Sequence, residues 1–174
     1  MQTRTARPRT LSRPAIQAAA RRIVDTEGLA ALTLRRVAQE VNTGQASLYR
    51  HIADRDEMLQ LLVDEFAASY PLESGRGGAE QRLIRQWRLT HDHLAGHRWV
   101  VEIVAEGNIS AASSDELSQH NRSLLVAAGV AASQSAKAER ALWSLTIGYL
   151  LNERGASDGD YNWALTRLVR GLLG

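Results

Sequence analysis

The chain of 174 residues contains no cysteine, one phenylalanine, three prolines and, against twenty arginines, a single lysine. Without cysteine there is no disulfide, no thiolate nucleophile and no zinc or iron–sulfur site with a sulfur ligand. Composition leaves the redox compartment undetermined. Long hydrophobic runs are missing too. The longest, residues 141–151, is interrupted by Ser144, Thr146 and Gly148 and falls far short of the roughly 20 residues that cross a bilayer. The arginine-rich start lacks the apolar stretch of about 7–15 residues found in secretory signals. A cytoplasmic protein with no membrane partner is therefore expected. No credible strand and no internal repeat is visible. What is present is 44% hydrophobic residues, enough for a real core. At roughly 150 residues per domain, the length suggests one domain with perhaps a small second module.

A net charge of +2 conceals an asymmetry. Residues 1–55 hold ten arginines against four acids, Asp25, Glu27, Glu40 and Asp54, while the remainder is mildly acidic. A basic front on an acidic body favours nucleic acid or an anionic surface as partner of the front, although a solvated basic face has the same composition.

Residues 1–11, with Arg4, Arg7 and Arg9 and almost nothing apolar, cannot offset their ordering entropy and read as a mobile basic arm. Helical spacing begins after Ser12, a good N-cap, with Pro14 in the first turn and Ile16, Ala20, Ile23 and Val24 following until Gly28. A second helix opens at Thr33, its stripe being Leu34, Val37, Ala38 and Val41. Asn42, Thr43 and Gly44 form a tight turn, since Asn and Gly tolerate positive φ. A short third helix follows over residues 45–51. Asp54 and Glu57 make a D-x-x-E capping box for a fourth, with stripe Met58, Leu59, Leu62, Val63 and Phe66. Residues 71–78 read as a flexible linker. Beyond it, four more amphipathic or apolar stretches are helical: one with Leu83, Trp87, His91 and Leu94; one over 99–105; one with Leu117, Asn121, Leu124 and Leu125; and one over 138–153. A last helix spans 161–173. The final two are apolar around most of their circumference, which one small core can hardly cover, so a homodimer closed by these helices is expected, with Leu145 and Leu168 inside the interface.

Two helices joined by a three-residue turn, the second short and polar on one side, describe a helix-turn-helix, the element that lays its second helix in the major groove. The run Leu32-Thr33-Leu34-Arg35-Arg36-Val37-Ala38-Gln39-Glu40-Val41, then Ser47-Leu48-Tyr49-Arg50-His51-Ile52 and Asp54-Arg55-Asp56-Glu57-Met58-Leu59, closely resembles the DNA-binding domain of TetR-family transcriptional regulators. The resemblance is strong over residues 12–66. It continues weakly through the segments around Trp99, Trp143 and Trp163. It implies an all-α chain with a three-helix DNA-binding domain over 12–54 and a helical effector-binding and dimerisation domain over 55–174. It further implies that Gln45, Ala46, Tyr49 and His51 face the groove, with Arg35 reaching in, and that Thr33, Ser47, Tyr49 and Arg55 hold phosphates. The chemistry agrees: glutamine suits adenine, arginine suits guanine, alanine meets a thymine methyl, and hydroxyls and cations anchor phosphate. Arg50 stands at the groove edge, where phosphate and water are both within reach. Leu48 and Ile52 face inward. Gly44 stands where the family often has serine, and Asn42 where glycine is common; both substitutes keep the geometry at a cost of a few tenths of a kcal/mol. The arm with Arg4, Arg7, Arg9 and Arg13 is either a minor-groove contact or a tail without a specific role.

Other motifs carry less. Residues 155–159 match G-x-S-x-G, but a helix precedes them where a nucleophile elbow needs a strand. His93 and His97 share a helix face while His91 does not, and two ligands do not make a metal site. Residues 75–78 lack the G-K-[S/T] of a phosphate loop. Trp87, Trp99 and Trp143, with His91, Asn121, Thr146 and Ile147, are residue types that build both cores and small-molecule pockets, and the resemblance implies a pocket. No cofactor, metal or catalytic residue is expected. The expected function is a repressor bound to a palindromic DNA operator and released by a small-molecule effector through the fourth helix. The alternatives are a sequence-indifferent architectural DNA binder and a small helical enzyme.

Overall fold

Ser12 opens the first helix of the computed structural model by accepting a hydrogen bond from the Ala15 N–H at 3.4 Å. The structure describes residues 11–106, 114–152 and 158–174, so the basic arm up to residue 10 and most of the G-x-S-x-G stretch lie outside it. Helix α1 (Arg13–Glu27) buries Ile16, Ala19, Ala20, Ile23 and Val24 on one stripe and ends at Gly28, whose φ of 85° only glycine adopts without strain. A 3-10 turn at Leu29–Ala31, which the apolar spacing did not announce, leads into α2 (Leu34–Glu40) and α3 (Gln45–Leu48). Helix α4 (Arg55–Ala68) follows. Asp54 accepts from the Glu57 N–H at 2.8 Å and Glu57 accepts from the Ala53 N–H at 2.6 Å, the reciprocal bonding that the D-x-x-E spacing anticipates.

The remaining helices among the described residues are α5 (Ala79–Ala95), α6 (Arg98–Glu106), α7 (Ser114–Ala127), α8 (Ala132–Leu151) and α9 (Asp158–Leu173). No strand occurs among those residues. None of their helices is long and apolar enough to cross a membrane.

The described residues divide into two compact units, one ending at residue 62 and the other beginning at residue 63. The division falls inside α4 rather than at the 54/55 turn, because a helix keeps its backbone bonding while its side chains change company. The first unit closes over Ile16, Ile23, Leu32, Val37, Leu48, Ile52, Met58 and Leu62, all essentially without solvent exposure. Full burial of each such side chain is worth about 1.5–3 kcal/mol. The second unit is built around α5, which packs on α6, α7, α8 and α9. Its core holds Leu83, Trp87, Leu124, Leu125, Leu142, Tyr161, Leu165 and Val169.

Residues 71–78 are not a free linker. Glu73 is 4% exposed and accepts from Arg82 Nε and Arg85 Nη2, both at 2.8 Å, and from the Gly75 N–H at 2.8 Å. Gln86 completes the attachment, accepting from the Glu73 N–H and donating to the Pro71 carbonyl. Glycine content suggested mobility; a single buried carboxylate straps the segment to α5.

His93 and His97 are also occupied. His93 stacks on Phe66 with ring centroids 4.5 Å apart, and the His97 Nδ1–H donates to the His93 carbonyl at 2.6 Å. The two imidazoles form part of an aromatic cluster with Tyr70 and Trp99.

Candidate nucleic-acid interface

Helix α2 starts at Thr33, whose hydroxyl accepts from the Arg36 N–H at 3.0 Å. It ends in a Schellman turn: the Thr43 N–H reaches the Ala38 carbonyl at 2.9 Å and the Asn42 N–H reaches Gln39 at 3.1 Å. Asn42 occupies the left-handed position with φ 54°, among described non-glycine residues the one with positive φ. The side chain suits it, since asparagine tolerates this region better than other residues with a Cβ. Gly44 then serves as N-cap of α3 in an extended conformation, without a side-chain bond.

Helix α3 has one regular turn and continues as hydrogen-bonded turn to Ile52, whose N–H reaches the Leu48 carbonyl at 3.1 Å. The helix proper is thus shorter than residues 45–51. Four residues cannot hold a helix in water by propensity, so burial holds it. Leu48 and Ile52 point into the first unit with 0% and 1% exposure. On the opposite side Gln45, Ala46, Tyr49 and Arg50 are exposed, Tyr49 to 55%. Ser47 and His51 are half-buried at the margins. Arg50 donates to the Ser47 hydroxyl at 3.1 Å, which lays its guanidinium along the helix.

The platform behind α3 is fastened by charges. Arg36 bridges Glu27 of α1 and Glu40 of its own helix, at 2.6 Å and 3.0 Å, and Arg22 also reaches Glu40. Arg36 and Arg22 hold the Glu40 carboxyl below the usual carboxylate range. Such exposed pairs are worth about 0–1 kcal/mol each, so they orient more than they stabilise. Arg13 pairs with Glu57, whose carboxyl is held low first by the Ala53 N–H and then by Arg13. Arg35, beside Arg36, is exposed and has no ion pair among the described residues.

Arg55, which the resemblance expects to hold a phosphate, is exposed and also bonds within the first unit. Its Nε donates to the Leu32 carbonyl at 3.0 Å and its Nη2 to Leu29 at 3.3 Å. These two bonds satisfy the carbonyls of the 3-10 turn and tie it to α4. Sequence reasoning missed this strut because the acceptors are main-chain atoms of a turn that it did not foresee.

In the second unit the expected effector residues separate into groups. Trp87 and Trp143 meet edge to face at 5.4 Å. His91 stacks on Tyr161 at 4.1 Å, and the Tyr161 hydroxyl donates to the Trp87 carbonyl at 3.0 Å while lying 2.9 Å from the Thr146 hydroxyl. Burial raises the pKa of that phenol. Trp99 stands apart with Phe66, and Ile147 is half-buried on α8. Asn121 is fully buried on α7, one turn before Leu124 and Leu125, which share a core with Trp87. Neither its amide nitrogen nor its oxygen has a hydrogen-bond partner among the described residues, and the same holds for the Trp87 indole nitrogen. Tyr161, which joins α5 to α8 and α9, is not among the expected site residues; the wide apolar stripe of its helix pointed to a dimer interface.

Residues 16–62 match the family model described as bacterial regulatory proteins, tetR family. Over 96 residues the chain is 35% identical to the HTH-type transcriptional repressor DrrR1 of Streptomyces coeruleorubidus, covering 54% of this chain and 36% of that protein. The match thus spans about a third of the relative's length. The fold resembles apo ActR from Streptomyces coelicolor, with a TM-score of 0.79, 23% identity and 97% of each chain covered. It equally resembles BioQ solved with its natural double-stranded DNA operator, at TM-score 0.79, 26% identity and 94% and 99% coverage of this chain and that one.

Proposed function

We propose that this chain, whose residues 16–62 match the model for bacterial regulatory proteins of the tetR family, is a sequence-specific DNA-binding repressor, a binding protein rather than an enzyme, working in the cytoplasm. One observation carries the reading: α3 is anchored by two buried residues and turns Gln45, Ala46 and Tyr49 outward in the middle of the matched segment. Exposed polar and small side chains on a rigid short helix are what base edges in a major groove require. Gln45, Ala46, Tyr49, His51 and Arg35 read bases; Thr33, Ser47 and Arg50 face the backbone, and Arg55 supports the turn behind them. The repressor DrrR1 and operator-bound BioQ support the same assignment. Two copies bind a palindrome, their recognition helices about 34 Å apart.

The second unit binds a small-molecule effector. The unpartnered polar atoms of Asn121 and of Trp87, whose ring meets Trp143 edge to face, support this, because buried groups without a bond are costly unless another molecule completes them. The effector releases DNA by favouring a conformer with a different helix spacing, and only as far as its affinities for the two conformers differ.

Footprinting on the DNA flanking the gene tests the first claim, with a protected two-fold symmetric element as the expected result. Gln45→Ala and Tyr49→Ala are expected to cost about 1–3 kcal/mol on that element and little on random duplex. Equal losses on both, measured by fluorescence anisotropy, reject base readout.

A further inference from the structure

Buried polar side chains in the second unit are almost all matched inside the chain. Glu73 has Arg82 and Arg85, and Glu139 has Arg122 and Ser118. The Gln86 amide is used at both ends, on the Glu73 N–H and the Pro71 carbonyl. The hydroxyls of Thr90, Ser135 and Thr146 donate to carbonyls one turn back in their own helices, and the His91 Nδ1 lies 3.2 Å from the Asp92 carboxylate. Asn121 is the exception among the described buried polar residues: it is 0% exposed, and neither end of its amide has a partner there. The Trp87 indole N–H, equally buried, is in the same situation.

The two belong to one core. Asn121 lies one helical turn before Leu124 and Leu125, on the α7 face that these residues turn toward the core they share with Trp87. Helix α7 packs directly on α5. The amide offers two donors and an acceptor, and the indole one more donor. An amide side chain pairs with an edge that carries a donor and an acceptor on neighbouring atoms, as it does with adenine. Both buried carboxylates are already neutralised by arginine, so an ion entering this core would lose its hydration without compensation. The Trp87 and Trp143 rings, edge to face at 5.4 Å, favour a flat ring system.

We propose that Asn121 and Trp87 form a ligand site between α5 and α7 for an uncharged, flat heteroaromatic molecule of the lactam type, whose adjacent N–H and C=O complete the Asn121 amide and the indole N–H between them. The proposal rests on the effector reading above and adds the class of molecule and the two side chains that select it. Because both groups are enclosed, entry requires α7 to part from α5, and the ligand makes that minor arrangement the dominant one.

Equilibrium dialysis of the full chain against 2-quinolone, naphthalene and 2-naphthoate, bicyclic rings that are respectively lactam, apolar and anionic, tests it. 2-Quinolone is expected to bind tighter than either of the others by about tenfold or more, because a site built to hydrogen-bond rejects a ring that leaves its groups unpaired. Asn121→Leu, nearly the same size, is expected to abolish that preference while leaving naphthalene within about threefold. The ligand-free variant is also expected to melt above the wild type by calorimetry, since an unbonded amide has left the interior, whereas loss of a purely structural amide would lower the melting temperature. Trp87→Phe, which keeps a ring and loses the N–H, is expected to reduce the preference for 2-quinolone over naphthalene by about threefold or more. The site is overturned by a wild type that does not prefer 2-quinolone or prefers 2-naphthoate, by a lower-melting Asn121→Leu, or by an unchanged preference in either variant. Operator binding is measured on the same samples. Release by a compound that does not depend on Asn121 leaves the effector reading standing and removes this inference. An Asn121-dependent complex that holds its operator at saturating 2-quinolone keeps the site and rejects the effector reading.

Discussion

Asn42 and Gly44 occupy the two positions in the helix-turn-helix where backbone geometry is most demanding, and they differ in what a substitution would do. Asn42 sits at φ 54°, so Asn42→Ala places a Cβ-bearing residue without a compensating polar group in the left-handed region and should cost about 1 kcal/mol. Gly44 has an extended conformation, and a Cβ added there meets no atom within 4 Å. Gly44→Ser should therefore stabilise the chain by a few tenths of a kcal/mol through a side-chain cap on α3. Urea titration checks both, with the midpoint moving in opposite directions at constant slope. Both residues could be read before any coordinates because their roles are local: a turn between two helices states its requirements in three letters. Arg55 and Tyr161 could not, since their partners lie 23 and 74 residues away, at Leu32 and Trp87.

Among elements, the segment between α4 and α5 shows how far glycine content misleads. Its three glycines suggested freedom, yet Glu73 fixes it through Arg82 and Arg85. Burial pushes the Glu73 carboxyl up, while Arg85, Arg82 and the Gly75 N–H pull it down more strongly and leave it below the ordinary carboxylate range. A depressed carboxyl contributes stability above its unfolded pKa of about 4.3, and that contribution disappears as pH falls through the folded value. Calorimetry should show the wild-type melting temperature falling more steeply below about pH 4.3 than that of Glu73→Gln, which has no carboxylate there to protonate. At neutral pH the variant should be the less stable, with two arginines left facing an amide. Helix α8 gives the complementary lesson. It begins at Ala132 rather than near 138, because Ser133, Gln134 and Lys137 interrupt the apolar pattern although Ser135 and Glu139 are buried. Glu139 is admitted to the interior by Ser118 and Arg122 of α7, at 2.8 Å and 2.6 Å. Apolar periodicity finds the middle of a helix and is silent about a buried charge whose partner is on another element.

For the whole molecule, the charge split between front and body becomes a statement about salt. Operator affinity should fall linearly on a log–log plot against salt, because every phosphate neutralised releases counterions. Arg50→Ala should reduce that slope by about one unit, and Gln45→Ala should leave it unchanged while lowering affinity for the operator alone. Anisotropy titrations at several salt concentrations separate the two outcomes.

The four tryptophans lie in different surroundings: Trp87 and Trp99 are buried, Trp143 is half-buried and Trp163 stands in water. The chain thus carries its own optical reporter. Iodide should quench a red-shifted component of the emission that belongs to Trp163, while the buried Trp87 and Trp99 stay protected. A Trp163→Phe chain should emit only the more shielded remainder, so the surroundings of that one side chain become readable by light without attaching a dye.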